Sequence, residues 1–309
     1  MENPEYMTGG LLLDTTPIVS IAWSPDGTRI ATGCKDATAQ IWDATSGKHL
    51  LSYKAHKKVV NVVAWSPDST RIASGSNDRT VHIWDAATGG NLLVYDGHGA
   101  IEVVNLAWSP DGARIASVDE DNVVQLWDSA SGKPLHARPG LYRSQQTYAP
   151  LAWSPDGTRI ASSFLGGSKR GVHVWNAATG ETHATYYHEN YRVHAIAWSP
   201  DGRAIASASD ATVHLWDART GNQIFTYRGH TDPDPHWSHD VATLAWSPGG
   251  DRIASGSDGT ALTWSTRTGK TLSRYQCDAV WRVALAWSPD GKRLAIGGAT
   301  RTLQVWQVR

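Results

Sequence analysis

The chain has 309 residues, and its 28 Lys and Arg nearly balance its 29 Asp and Glu. A nucleic-acid-binding surface needs a basic face or stripe, so this balance argues against nucleic acid as a partner. No basic leader, secretory signal or stretch of membrane-spanning length is visible, which argues against a membrane partner. Two isolated cysteines form neither a disulfide framework nor a metal-binding spacing, so we expect a cytoplasmic protein.

The sequence Ala-Trp-Ser-Pro occurs seven times, and the Trp residues of successive copies lie 41 to 48 residues apart. We expect the first strand of each unit to end near Trp23, Trp65, Trp108, Trp153, Trp198, Trp246 and Trp287. A fixed period of about 40–45 residues with four strands per unit is the sequence signature of a β-propeller. Seven such units closing on one axis make a single domain over residues 1–309.

The second unit shows how one repeat is built. Its β-branched and alternating segments predict four strands, at 59–65, 71–75, 80–84 and 92–95. Ser-Pro-Asp and Ser-Asn-Asp sequences between these segments are typical of tight turns. The unit is therefore predicted to be a four-stranded antiparallel meander without a helix.

This unit resembles a WD-repeat (WD40) unit, with Gly97-His98 before a first strand and Trp84-Asp85 at the end of a third strand. The resemblance covers nearly the whole chain, and the wording of the repeat is similar to that of regular prokaryotic members. It implies an all-β fold, a single seven-bladed β-propeller with four antiparallel strands per blade.

The resemblance also implies a polar network inside the blades, because a buried indole N–H and a buried hydroxyl need partners. The expected sets are His56, Ser74, Asp78 and Trp84 in the second blade, His98, Ser117, Asp121 and Trp127 in the third, and His188, Ser207, Asp210 and Trp216 in the fifth. In the sixth blade Ser255, Asp258 and Trp264 are kept, with either His230 or His239. We interpret these residues as scaffold and not as catalysts.

The last repeat ends after its third strand, so the ring needs a fourth strand from elsewhere. Residues 8–13 match residues 88–93, which lead into a fourth strand. We therefore predict that residues 9–14 complete the seventh blade and join the two ends of the chain. Otherwise an open edge strand would remain.

The repeats depart from one another mainly in the connections that enter the fourth to seventh blades, and in a second-to-third-strand turn of the fourth blade that is expected to be expanded, at residues 164–171. Propeller geometry brings these connections to one end of the ring, where aromatic and Arg side chains are typical of binding hot spots. Tolerated loop drift is the alternative explanation. The predicted partner-binding residues are Tyr142, Arg143, Tyr148, Tyr191, Arg192, Trp237, Trp281 and Arg282.

The insertion before the sixth blade offers a weak metal-binding candidate in His236 and His239. Pro233 and Pro235 explain this spacing as turn chemistry, and no helix holds the two His on one side. His194 is expected near the central channel. We predict no cofactor, no metal and no catalytic residue.

The sequence thus favours a non-enzymatic scaffold that binds a protein or peptide at the loop face over blades four to seven. We expect a monomer or one domain of a larger chain. A propeller hydrolase or lyase, with ionisable groups at the channel, is one alternative. Carbohydrate binding through Trp237 and Trp281 is the other, although these residues do not repeat from blade to blade.

Overall fold

A Ser-Pro turn after the first strand, with the sequence Ser-Pro-Asp-Gly in five of the seven repeats, turns the chain back on itself and starts an antiparallel sheet. In the first blade the Gly27 N–H donates to the Ser24 carbonyl at 2.9 Å, and Gly27 has a φ of 72°, which glycine adopts without strain. The Asp26 carboxylate accepts from the Thr28 N–H at 2.9 Å. The Ser24 hydroxyl accepts from the Arg29 N–H, also at 2.9 Å, and so fixes the start of the second strand.

A computed structural model describes residues 11–14, 16–139, 149–166, 169–188, 192–230, 240–276, 283–298 and 301–308. These residues form seven antiparallel sheets of four strands each, which confirms the predicted all-β, seven-bladed propeller. Within them there is no helix, and hence none that could cross a membrane.

The first and second strands form the inner part of each blade, and the first strands lie next to the axis of the ring. The first strands are Ile18–Trp23, Val60–Trp65, Val103–Trp108, Leu151–Trp153, Ala195–Trp198, Thr243–Trp246 and Ala284–Trp287. The second strands are Arg29–Cys34, Arg71–Ser76, Arg114–Asp119, Arg159–Gly166, Ala204–Ser209, Arg252–Ser257 and Arg293–Gly297.

The third and fourth strands form the outer part of each blade. The third strands are Ala39–Asp43, Val81–Asp85, Val124–Asp128, Lys169–Asn176, Thr212–Asp217, Thr260–Ser265 and Thr302–Gln307. The fourth strands are His49–Tyr53, Asn91–Tyr95, Pro134–Arg138, Thr182–His188, Gln223–Tyr227 and Thr271–Gln276, with Leu11–Asp14 in the seventh blade.

The amino-terminal strand closes the ring. Leu11 to Asp14 pair antiparallel with the third strand of the last blade, Leu11 opposite Val305 and Asp14 opposite Thr302. The predicted closure by an amino-terminal strand is therefore confirmed, while residues 9 and 10 of the predicted segment lie outside the described part of the chain.

The core lies between blades and not within one sheet. A typical buried cluster joins Ile41 and Tyr53 of the first blade to Val63, Trp65 and Trp84 of the second. Tyr53 stacks on Trp84 with ring centroids 4.6 Å apart, and such aromatic pairs contribute about 0.5–1.5 kcal/mol beyond area burial. Each blade thus depends on its neighbours for its buried surface.

The repeated Trp of each first strand ties its blade to the preceding one. Its indole N–H donates to the carbonyl oxygen of the Ala before the equivalent Trp of that blade, at 3.0 or 3.1 Å in all seven cases. An Arg that opens the second strand of the preceding blade covers the indole ring in several blades, as Arg29 covers Trp65 with Cζ 4.7 Å from the centroid.

The second-to-third-strand hairpin of the fourth blade corrects the sequence interpretation. The segment 164–171 was expected to be an expanded turn, but the second strand extends to Gly166 and the third begins at Lys169, with Phe164 opposite Gly171 and Gly166 opposite Lys169. Phe164 stacks on His173 at 3.8 Å between centroids, which holds the extended hairpin together.

Candidate functional site

In the second blade, the four predicted network residues form one hydrogen-bonded chain. His56 Nδ1 lies 2.8 Å from Asp78 Oδ2, and His56 Nε2 lies 2.8 Å from Ser74 Oγ. The Trp84 indole N–H donates to the same Ser74 oxygen at 3.1 Å. Burial alone raises the pKa of the Asp78 carboxyl, but hydrogen bonds, first that from His56, outweigh it and hold the pKa well below its ordinary range.

The third blade uses a different aspartate from the one predicted. His98 Nδ1 lies 2.9 Å from Asp119 Oδ2, not at Asp121, while His98 Nε2 lies 2.7 Å from Ser117 Oγ. Trp127 donates to Ser117 at 3.0 Å. Asp119 stands two residues after Ser117 on the second strand, so both side chains project from the same face toward His98. The expectation of Asp121 is wrong for this reason.

The fifth blade replaces the aspartate by a serine. His188 Nδ1 lies 2.8 Å from Ser209 Oγ, and His188 Nε2 lies 2.8 Å from Ser207 Oγ. Asp210 was the predicted partner of His188 Nδ1, and Ser209 takes that place. Ser209 is again two residues after the first serine and shares its strand face. The Trp216 N–H has no hydrogen-bond partner among the described residues.

The sixth blade repeats the serine pattern and settles the choice of histidine. His230 Nδ1 lies 2.9 Å from Ser257 Oγ, and His230 Nε2 lies 2.8 Å from Ser255 Oγ. Trp264 donates to Ser255 at 3.1 Å. His230 is therefore the network histidine, and Ser257 stands where Asp258 was expected.

A group of metal-ligand type adjoins the network of the second blade. Ligand atoms of His56, Asp78 and His82 lie within 4.8 Å of one another. The two imidazoles are stacked nearly parallel, with centroids 4.0 Å apart and an angle of 21° between the rings, so their lone pairs do not converge on one ion. His82 Nδ1 also lies 2.8 Å from the Tyr53 hydroxyl, and burial lowers the pKa of His82 to about 4. The geometry is that of a hydrogen-bonded structural network.

A cavity of about 230 Å³ lies on the propeller axis and receives residues from all seven blades. It is bordered by the starts of first strands and by second-to-third-strand turns, which share one end of the ring because Val60 pairs with Ser76. Its walls include apolar residues such as Ile21, Val62 and Leu285. Its polar lining residues are Ser20, Asn61, Asn77, Asn105, Glu120, His194 and Thr243.

Asparagine amides organise one side of the cavity. The Asn61 amide nitrogen donates to the Asn77 side-chain oxygen and to the Val103 carbonyl, the latter at 2.8 Å. Both donors of Asn61 are thereby used within the protein, and its amide oxygen is what it offers to the cavity. This assignment of the amide follows from the hydrogen-bond network.

Glu120 brings a carboxylate to the same cavity from the turn that follows the second strand of the third blade. Burial raises the pKa of Glu120, and the nearby carboxylates of Glu102, Asp121 and Asp119 raise it further. Lys58 Nζ lies 3.6 Å from Glu102 Oε1. No sequence pattern pointed to Glu120, because its place in the lining depends on the turn reaching the axis.

His194 borders the cavity from the fifth blade, as its position before a first strand indicated. Its Nε2 atom lies 3.9 Å from Asp240 Oδ2, at the end of the segment before the sixth blade. Within the described lining, Glu120 and His194 are the two ionisable side chains.

Most of the predicted partner-binding residues lie outside the described part of the chain. Arg192 is described and is exposed to solvent. The predicted residues outside the described part of the chain are Tyr142, Arg143, Tyr148, Tyr191, Trp237, Trp281 and Arg282, together with the metal candidates His236 and His239. No placement follows for them from the described residues.

The described strands differ between the two halves of the ring. First strands have six residues in blades one to three, but three or four in blades four to seven. The shortened strands are those that follow the divergent connections. The inner wall is therefore built differently on the side where the repeats depart from one another.

A family model described as WD domain, G-beta repeat matches the chain at residues 12–43, 47–85, 89–128, 180–217, 221–265 and 268–307. These six segments cover well over half of the chain and leave out residues 129–179, which contain the first three strands of the fourth blade. No curated protein matches the chain significantly.

Proposed function

Because the chain belongs to the WD-repeat (WD40) family, whose propellers are generally non-enzymatic scaffolds, we propose that it is an adaptor that binds a protein or peptide. The proposed binding face is the end of the ring where the axial cavity opens, over blades four to seven. The observation that carries this proposal is that the blades whose first strands are shortened to three or four residues, four to seven, are also those entered by the divergent connections, and that each of them contributes residues to the border of the axial cavity.

The physical basis is that shared and divergent residues have different roles in a repeat protein. Shared residues build the ring, while residues that depart from the repeat are free to recognise a partner. The divergent connections carry Tyr, Trp and Arg, the residue types that dominate binding energy at interfaces. In this proposal Trp237 and Trp281 anchor the partner, and Tyr142, Tyr148, Tyr191, Arg143, Arg192 and Arg282 surround them.

The enzyme alternative has less support. A hydrolase or lyase site needs several ionisable groups that converge on the reacting atoms. The described lining of the axial cavity offers Glu120 and His194 among neutral and apolar residues. His56, His98, His188 and His230 are engaged in the buried networks.

The test is an affinity capture from host lysate with three baits, read by mass spectrometry. The intact chain is compared with Trp237→Ala/Trp281→Ala. A matched control, Leu92→Ala/Ile224→Ala, removes two exposed apolar side chains from fourth strands at the rim. We expect partners on the intact and control baits that the Trp variant loses, with all three melting temperatures within about 2 °C, as for surface changes.

Identical protein lists on all baits would remove this face from consideration as a protein-binding site. Loss of partners on the rim control alone would move the site to the outer strands. A Trp variant with a lowered melting temperature would be replaced by single Trp→Phe changes, which keep an aromatic ring.

A further inference from the structure

Glu120 is the one carboxylate in the described lining of the axial cavity. Within the described residues it has no ion-pair partner within 4.0 Å, whereas neighbouring Glu102 is paired with Lys58 at 3.6 Å. The same lining contains no Lys or Arg. The described lining therefore holds one carboxylate and one imidazole, that of His194, and no Lys or Arg as a permanent counter-charge to Glu120.

The surroundings of Glu120 make this charge costly. Partial burial removes water from the carboxylate, and Glu102, Asp119 and Asp121 add like charge nearby. A carboxylate in such a place is stabilised by any cation that reaches it, because both the lost hydration and the repulsion are then offset. The cavity thus favours a positively charged ligand over an anionic one.

The remaining lining suits a ligand that only donates hydrogen bonds. The Asn61 amide nitrogen is engaged with Asn77 and Val103, so its oxygen is left as an acceptor. Lysine ammonium and arginine guanidinium groups are donors without an acceptor. Ile21, Val62 and Leu285 provide apolar wall, against which the aliphatic stem of such a side chain packs.

The size of the cavity fits one long side chain. Its volume is about 230 Å³, which exceeds the volume of about 150 Å³ of an apolar cavity that holds a benzene molecule. A short or an uncharged side chain would leave the Glu120 carboxylate without a counter-charge. We propose that the axial cavity accepts a single lysine or arginine side chain of the partner, with Glu120 as its counter-charge.

This inference rests on the proposed function for the identity of the partner, but the cavity can be tested without one. Ligand-observed NMR titrations of the full chain use N-acetyl-arginine amide and N-acetyl-lysine amide. N-acetyl-norleucine amide, which has an aliphatic stem and no charge, and N-acetyl-glutamate amide are the controls. We expect saturable binding of at least one basic amide, at least about tenfold tighter than either control, which is the size of one charge-assisted hydrogen bond.

Three variants locate the charge. Glu120→Gln keeps the shape and is expected to weaken binding of the basic amide at least about tenfold. Glu120→Asp keeps the charge but moves it away from the cavity by one methylene group, and is expected to give an intermediate affinity. Glu102→Gln removes a carboxylate that is outside the cavity lining, and is expected to change the affinity less than about threefold, as a screened surface charge does. Unchanged melting temperatures show that the variants are folded.

Equal binding of the norleucine and arginine amides would overturn the proposal. So would an unchanged affinity in Glu120→Gln, or an equal loss in Glu102→Gln, which would indicate a general negative field. Charge-dependent amide binding with no captured protein would instead defeat the adaptor proposal alone. If capture of the partner depends on Trp237 and Trp281 but not on Glu120, the adaptor proposal stands. The proposal that a basic side chain enters the axial cavity is then wrong.

Discussion

The indole N–H of Trp23, in the first blade, donates a 3.0 Å hydrogen bond to the carbonyl oxygen of Ala286, in the seventh. The same bond links every pair of consecutive blades, as from Trp65 to Ala22 at 3.1 Å. This contact therefore completes a circle in which each blade both donates and accepts. Because the circle passes through the junction of first and last blades, the two ends of the chain are held by the same interaction as any other pair.

Ring closure by the amino-terminal strand predicts a sharp effect of truncation. Deleting residues 1–14 removes four cross-strand pairs with the third strand of the last blade, at about 0.2–1 kcal/mol each. We expect the melting temperature to fall by about 5 °C or more, with a tendency to aggregate through the uncovered edge. Deleting residues 1–7 is the matched control and should leave the melting temperature unchanged. Equal melting curves for the two deletions would contradict closure by this strand.

The fifth blade lacks the Arg that covers the Trp of the following blade in several other blades, because Ala204 stands at that position. Arg159 shows the expected geometry, with Cζ 4.9 Å from the Trp198 ring centroid and a 3.5 Å bond to the Gly202 carbonyl. Ala204→Arg should cover Trp246, which is partly exposed, in the same way. We expect a stabilisation of about 0.5–1 kcal/mol in thermal or denaturant unfolding.

Ala204→Met is the control for that change, since it adds length without charge. A gain equal to that of the Arg variant would assign the effect to apolar contact. No gain in either variant would show that Trp246 cannot be covered from this position.

Trp216 and Trp127 form a natural comparison of a buried indole with and without a hydrogen bond. Both are fully enclosed, but Trp127 donates to Ser117 at 3.0 Å, while Trp216 has no partner among the described residues. Replacement of either Trp by Phe removes similar ring volume. We expect Trp127→Phe to cost about 0.5–1.5 kcal/mol more than Trp216→Phe in the free energy of unfolding. Equal costs would mean that the Trp127 bond contributes nothing net.

The buried histidines predict a loss of stability in mild acid. Burial, with the neighbouring imidazoles of His56 and His214, lowers the pKa of His82 to about 4 and that of His188 to about 3. In the unfolded chain imidazole has its ordinary value of 6.5, so the unfolded state takes up protons first as the pH falls. The contribution of these histidines to the free energy of unfolding is therefore fully present above pH 6.5 and is lost as the pH falls toward 4. The loss is up to about 1.4 kcal/mol per pH unit for each proton taken up.

The measurement is the melting temperature between about pH 7.5 and pH 4.5, the range in which histidine charge changes. His82→Gln, which keeps a polar partner for Tyr53, should flatten this dependence by the share of one histidine. His49→Gln, at an exposed position, serves as control and should leave the dependence unchanged. A flat profile in the unmodified protein would contradict the buried neutral state.

The candidate site was only partly predictable. The sequence located the network serines and tryptophans because they recur at fixed distances from Ala-Trp-Ser-Pro. It chose Asp121 and Asp210 by their resemblance to the Asp78 position, whereas Asp119 and Ser209 make the contacts. Which side chain reaches the histidine depends on the strand face, and a turn with a changed length alters which residue is on that face.

The amino-acid sequence by itself determined the number of blades, the order of strands and the amino-terminal strand that closes the ring. These features follow from local turn chemistry, alternating apolar residues and a counted repeat, each legible within about 45 residues. Only the tertiary structure decided the partners of the histidines and the charge of the axial cavity. That cavity draws Glu120, Asn61 and His194 from three blades, and no local pattern specifies which side chains meet on an axis shared by seven repeats.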